Sequence, residues 1–197
     1  MDLGLKGKVA LVAASSQGIG RAIALGFARE GVKVSICARG EAGIQEAAES
    51  IRRETGTEVL SMSADMTRSE DIQNFVAKTA EKFGRIDIVL TNAGGPPPGE
   101  FMQFTDADWE KAFELSFLST LRLTRETVRS EAKSFAARLD DAVARAEEGE
   151  AISDSDRITL GLIALAGAER DHVLELFRDR AISNRQAEQA LAEADRL

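Results

Sequence analysis

The 197-residue sequence predicts an α/β fold, a parallel sheet covered by helices on both faces, followed by an all-helical tail. Three observations predict it. Short, almost wholly apolar runs each precede an amphipathic stretch, which is the pattern of parallel strands buried on both sides. A glycine-bearing turn, Ser15-Ser16-Gln17-Gly18-Ile19-Gly20, joins the first such run to the first helix. The composition then changes at residue 129: 13 of the 16 glycines and all three prolines precede it, and Ala, Glu, Arg, Leu and Asp dominate the rest of the chain. That remainder is rich in helix formers.

Residues 9–13 form the first strand. Ile19, Ala22, Ile23, Gly26 and Phe27 then place an apolar face on a helix that Gly31 ends. The second strand is 32–38, and a helix over 41–54 carries Ile44, Ala47, Ala48 and Ile51 on one face before Gly56. The third strand is 59–63. Thr67-Arg68-Ser69-Glu70 reads as a capping box, continued by Ile72, Phe75, Val76, Ala80 and Phe83 as a helix that Gly84 closes. Residues 86–90 make the fourth strand. Thr91-Asn92-Ala93-Gly94-Gly95 sits at its carboxyl end, the edge where open α/β sheets bind ligands, and Pro96 to Pro98 stiffen the exit. Thr105-Asp106-Ala107-Asp108 caps a further helix. On it Trp109, Phe113, Phe117 and Leu121 recur every four residues and share a face, read as core or as a subunit interface.

The turn between the first strand and the first helix is an anion site. Orphan N–H groups and the positive end of the helix dipole face it, and Gly18 and Gly20, lacking a Cβ, allow a pyrophosphate close approach. A glycine pair alone would be weak evidence. Here the preceding strand, the following helix and a second strand ending near Arg39 complete one βαβ unit of the expected length.

Residues 5–127 resemble the front part of a short-chain dehydrogenase/reductase, in style a 3-oxoacyl-acyl-carrier-protein reductase. Four features in order carry the resemblance: Ala14-Ser15-Ser16-Gln17-Gly18-Ile19-Gly20, Cys37-Ala38-Arg39, Ala64-Asp65-Met66 and Asn92-Ala93-Gly94. It implies a partial Rossmann-like three-layer fold with strands in the order 3-2-1-4. It also implies a nicotinamide dinucleotide as ligand. Gly18, Ile19 and Gly20 would approach the pyrophosphate, Asp65 would meet the adenine, and Asn92, Ala93 and Gly94 would lie under the ribose and pyrophosphate. The family carries Thr-Gly where this chain has Ala13-Ala14, so the first glycine of the loop is missing. Alanine tolerates fewer backbone angles there.

Cofactor choice follows from charge. An acidic residue ending strand two would hold a ribose 2′-hydroxyl and repel a 2′-phosphate, but Ala38 and Arg39 stand there. A fixed cation, with Ser15 or Ser16 as hydroxyl donors, favours NADP, with NAD as the alternative.

The family reduces carbonyls with a Tyr-x-x-x-Lys pair, a preceding Ser, and an Asn in the helix after the Asn-Ala-Gly loop. This chain has no tyrosine, and Ser116 occupies the position of the Asn. Lys111 and Lys133 read as exposed helix residues, and His172, the single histidine, as a surface or cap residue. No catalytic residue is assigned, and the resemblance reads as truncated before the catalytic pair.

Residues 1–128 are therefore expected to form an incomplete dinucleotide-binding domain and 129–197 a helical tail. Ala132, Phe135, Ala136, Leu139 and Val143 make one apolar stripe of that tail; stripes beginning at Val173 and at Ala187 make two more. Ala151-Ile152-Ser153-Asp154 and Ala181-Ile182-Ser183-Asn184 hint at a two-unit repeat. The last helices resemble, faintly, the cytosolic tails of cation/proton antiporters. The strand-four edge lacks a neighbour, so it or helix 106–127 is a candidate surface for homo-oligomers.

A formal charge of −8 with no basic cluster excludes a generic nucleic-acid surface, and the longest apolar run, 158–168, is too short to span a membrane. One cysteine, Cys37, excludes an internal disulfide and reads as a buried small hydrophobe. No signal-peptide pattern opens the chain, and a cytoplasmic location is expected. The expected function is weak NADP(H) binding with impaired turnover. The alternatives are a helical interaction module on an α/β platform, a chimeric or frame-shifted product, or a chain completed by another polypeptide.

Overall fold

The computed structural model describes residues 3–95 and 98–147. The chain divides into two compact units, Met1–Ser134 and Phe135–Leu197. The first holds the sheet: β1 (Val9–Val12), α1 (Gly18–Arg29), β2 (Lys33–Ala38), α2 (Glu41–Thr55), β3 (Val59–Ser63), α3 (Ser69–Phe83) and β4 (Ile88–Leu90). A 3-10 turn (Phe101–Gln103), α4 (Asp106–Phe113), a π-helical turn (Glu114–Leu118) and α5 (Ser119–Glu147) come after it. The tail features at 151–154, 172–174, 181–184 and 187–194, with Pro96 and Pro97, lie outside the described residues.

The four strands are parallel in the order β3-β2-β1-β4. Val12 pairs with both Ile36 and Leu90, so β1 and β4 end level while β2 runs on to Ala38. The central strands β1 and β2 are buried on both faces, as their mostly apolar runs require, while β3 and β4 at the edges are only partly buried. Ala10, Val12, Val34 and Ile36 point to the side covered by α1 and α2, where Ala24, Ala28, Ile44, Ala48 and Ile51 complete one core cluster. Leu11, Ala13 and Cys37 point to the other side, against Ile72, Phe75 and Val76 of α3 and Leu123 of α5. The side-chain alternation of each strand thus feeds two cores, and the α/β/α layering follows. Burial pushes the Cys37 thiol up to about 12, so it stays a protonated, inert core group.

Two local expectations are corrected. Thr67-Arg68-Ser69-Glu70 is not a capping box: the N-cap of α3 is Arg68, with no side-chain cap, and the Thr67 hydroxyl donates instead to Asp65 Oδ1 at 2.8 Å. Strand four begins later than residue 86. Asp87 donates its N–H to the Val9 carbonyl and accepts the Val9 N–H on its own carboxylate, a side-chain substitute for the ladder. Arg85 donates to the same carboxylate. Of the two readings of the Trp109, Phe113, Phe117 and Leu121 face, core and subunit interface, the structure sets aside the first for this unit, since the four are 49%, 54%, 55% and 48% exposed. The capping box at α4 is present, with the Thr105 hydroxyl and N–H both bonded to Asp108 Oδ2.

Candidate functional site

The turn after β1 is fixed by the strands on either side of it. Ala13 N–H donates to the Leu90 carbonyl at 3.1 Å and Ser15 N–H to the Cys37 carbonyl at 2.9 Å, stretching the turn across the ends of β4 and β2. Between those two anchors Ala14 adopts φ +48°, the left-handed region that an L side chain disfavours. Its carbonyl oxygen faces Gly20, where a Cβ would stand well inside contact distance of it. Asn92, just past β4, donates its side-chain amide to the same oxygen at 3.1 Å. Gly20 is therefore required by packing, because no side chain fits beneath the Ala14 carbonyl. Gly18 is required by conformation, with φ +61° and open space around it.

Over this turn lies a cavity of about 600 Å³, opening at the carboxyl edge of the sheet. Ser16, Gly18, Ile19, Arg39, Asp65, Asn92, Ala93 and Gly94, all named as candidates from the sequence, line it. Two candidates lie outside the lining. Ser15 is buried, its hydroxyl donating to the Val12 carbonyl at 2.8 Å, and Gly20 sits beneath Ala14. The lining also includes Ala14, Gln17, Gly40, Ala64, Met66 and Leu115, none of them a candidate ligand residue by sequence. Leu115 comes from the π-helical turn, a non-local contribution with no signal in the pattern.

The electrostatics of the cavity are mixed. Arg39 is exposed at the end of β2. Asp65 accepts the Thr67 N–H at 2.9 Å and the Thr67 hydroxyl on Oδ1, while its own N–H donates to Asp71 Oδ2 at 2.9 Å. The Thr67 N–H bond is the main cause holding the Asp65 carboxyl below its ordinary value, with the Thr67 hydroxyl, Arg39 and Arg68 adding to it against partial burial. Ile19 is 75% exposed at the mouth, an apolar side chain free to pack on a ligand. Arg122 reaches from α5 to donate to the Thr67 carbonyl at 2.8 Å, bracing the loop that carries Asp65. Ser116 is exposed in the π-helical turn, and its carbonyl accepts from Thr120 Oγ1 at 2.9 Å. Lys111 and Lys133 are exposed, as expected. Among the described residues no group of three or more His, Cys, Asp or Glu side chains could hold a metal ion. Nor is any helix among them long and apolar enough to cross a membrane.

A doubly wound parallel sheet with a glycine turn at its carboxyl edge defines a Rossmann-like α/β protein. The family model described as short chain dehydrogenase matches residues 8–138, and the chain belongs to that family. Among its relatives is the dehydrogenase/reductase SDR family member 4 of Caenorhabditis elegans, 33% identical over 121 residues, covering 61% of this chain and 46% of that protein. A short chain dehydrogenase from Mycobacterium smegmatis superposes with a TM-score of 0.61 at 31% identity, over 64% of this chain and 53% of that one. The L-sorbose reductase of Gluconobacter frateurii, solved with NADPH and L-sorbose, gives a TM-score of 0.63 at 29% identity. That match covers 91% of this chain and 68% of the reductase. The chain spans about half the length of the relatives it matches in sequence. Its ancestry is that of the NAD(P)-dependent oxidoreductases.

Proposed function

We propose that the cavity at the carboxyl edge of the sheet takes a nicotinamide dinucleotide, NADP(H) in preference to NAD(H), and that this chain by itself performs little or no hydride-transfer turnover. The observation that carries the reading is the convergence of Gly18, Asn92, Gly94, Asp65 and Arg39, from four separate loops, on one open cavity. The residues fit the ligand. Gly18 presents backbone to the cavity with nothing within 4 Å of its missing Cβ, and the α1 N-terminus supplies unpaired N–H groups for a pyrophosphate.

Asp65 would meet the adenine, Asn92, Ala93 and Gly94 would underlie ribose and pyrophosphate, and Ile19 would cover the dinucleotide at the mouth. Arg39, exposed where a ribose-binding carboxylate would otherwise stand, supports the 2′-phosphate, with Ser16 as the neighbouring hydroxyl in the cavity. When bound, the nicotinamide supplies a hydride to a carbonyl carbon. A matching proton must reach the developing alkoxide, and the chain has no tyrosine to give it.

Titration with NADPH and with NADH, followed by cofactor fluorescence and by thermal shift, tests the reading. Saturable NADPH binding, tighter than NADH and abolished in a Gly18→Asp/Gly20→Asp variant, is the expected result. Absence of binding at millimolar cofactor refutes it. Turnover of a simple 3-oxoacyl thioester by the purified chain above that of the same variant refutes the second half.

The half-exposed apolar face of α4 and α5 supports a further part of the proposal, that two copies pair through it. Phe113 and Phe117 stack there with ring centroids 4.9 Å apart. Light scattering should find a dimer that Phe113→Glu/Phe117→Glu converts to monomer.

A further inference from the structure

We propose that Asn92 is a positioning residue for the loop after β1, holding Ala14 in a left-handed conformation that alanine would otherwise abandon. The inference rests on the reading that the cavity takes a dinucleotide. Ala14 is the only non-glycine among the described residues with positive φ. Left-handed backbone disfavours an L side chain by roughly five- to thirtyfold in population, so a local contact must hold the residue there.

The contacts are in place on every side. The two flanking N–H groups, of Ala13 and Ser15, are tied to β4 and β2. That leaves the Ala14 carbonyl as the free arm of the turn. Its oxygen is seated against Gly20 on one side and receives the Asn92 amide at 3.1 Å on the other. A Cβ at Gly20 would also stand 2.8 Å from Asn92 Nδ2, so the loop after β1, the start of α1 and the loop after β4 meet at one point. Rotating Ala14 toward an ordinary conformation would swing that oxygen off Gly20 and break the hydrogen bond it accepts from the Asn92 side chain. It would also re-aim the backbone of Ser16 and Gly18, which faces the cavity.

Asn92 itself lines the cavity. One side chain therefore joins the wall under the ligand to the loop that holds the ligand's phosphates. With glycine at position 14 the conformation would carry no penalty, and the clamp would become largely dispensable.

The test is a thermodynamic cycle of wild type, Ala14→Gly, Asn92→Ala and the double variant, read by melting temperature and by NADPH affinity. Ala14→Gly should raise the melting temperature and tighten NADPH binding about fivefold. Asn92→Ala should weaken NADPH binding more than about tenfold in the wild-type background and less than about threefold in the Ala14→Gly background. Equal losses in the two backgrounds, or a lower melting temperature on Ala14→Gly, would overturn the proposal. If wild type binds no NADPH, the dinucleotide reading fails while the melting temperatures still decide the clamp. Should Asn92→Ala not fold alone, folding of the double variant supports the clamp, and its failure to fold overturns it.

Discussion

The carboxylate of Glu131, on α5, accepts the main-chain N–H of Ile86 at 2.8 Å, across 45 residues of sequence. Ile86 is buried and opens the short segment that leads into β4, one of the two edge strands among the described residues. A hydrogen bond to a charged acceptor contributes about 1.5–3 kcal/mol, and here it holds a strand with only three ladder residues. Replacing Glu131 by Leu should therefore lower the unfolding free energy by about 2 kcal/mol in urea titrations. Glu131→Gln, which keeps an acceptor oxygen, should cost less than half as much.

The two glycines of the loop should respond differently to alanine. At Gly20 the new methyl runs into the Ala14 carbonyl oxygen and meets Asn92 Nδ2 at 2.8 Å, both fixed by the sheet. Overpacking against backbone of this kind costs about 1–3 kcal/mol, and the carbonyl must move. At Gly18 the methyl enters open space, and only the +61° φ is penalised, by about 1–2 kcal/mol. Gly20→Ala should abolish NADPH binding and lower the melting temperature more than Gly18→Ala does.

Ser35 lies in the middle of β2, fully buried, with no hydrogen-bond partner for its hydroxyl. By the alternation of the strand it faces the same layer as Cys37, toward α3 and α5. A buried, unpaired hydroxyl costs about 1–3 kcal/mol of desolvation. Ser35→Ala removes that cost with little change of volume, and a gain of about 1 kcal/mol in unfolding free energy is the expected outcome. A loss of stability would show that the hydroxyl is satisfied in solution.

Asp65 links the pH response to the site. Its carboxyl is held below the ordinary value of 3.8, first by the Thr67 N–H and then by the Thr67 hydroxyl and the charges of Arg39 and Arg68. A depressed folded value means that the unfolded chain takes up the proton first as pH falls. The contribution to stability is thus complete above about pH 4–5 and is lost as pH drops through the folded value. The difference in unfolding free energy between wild type and Asp65→Asn should be flat from neutrality to about pH 5 and shrink below it. A difference that grows on acidification would contradict the assignment.

Most of the sheet was legible because each strand is a short, mostly apolar run bounded by turn residues. β3 spans the five residues that its composition marks, and β2 loses only Val32 from the expected run. The loop was legible through Gly18 and Gly20, whose spacing carries its own steric reason. Less was legible where a side chain chose among partners. Thr67 sits in a good capping pattern, yet Asp65, two residues back, competes for its hydroxyl and wins. Trp109, Phe113, Phe117 and Leu121 have the spacing of a core stripe, but periodicity says only that they share a face, not what covers it.

By itself the sequence determined the α/β class and the glycine-bearing turn between the first strand and the first helix. These follow from residue type and short-range spacing. Only the tertiary structure decided that Ala14 is held left-handed, that Asn92 and Gly20 meet at its carbonyl, and that Ser15 turns its hydroxyl inward rather than into the cavity. Each depends on the register that sets Val12 level with Ile36 and Leu90. Register is a property of packed strands, fixed by burial across 24 and 78 residues of chain, and no local pattern encodes it.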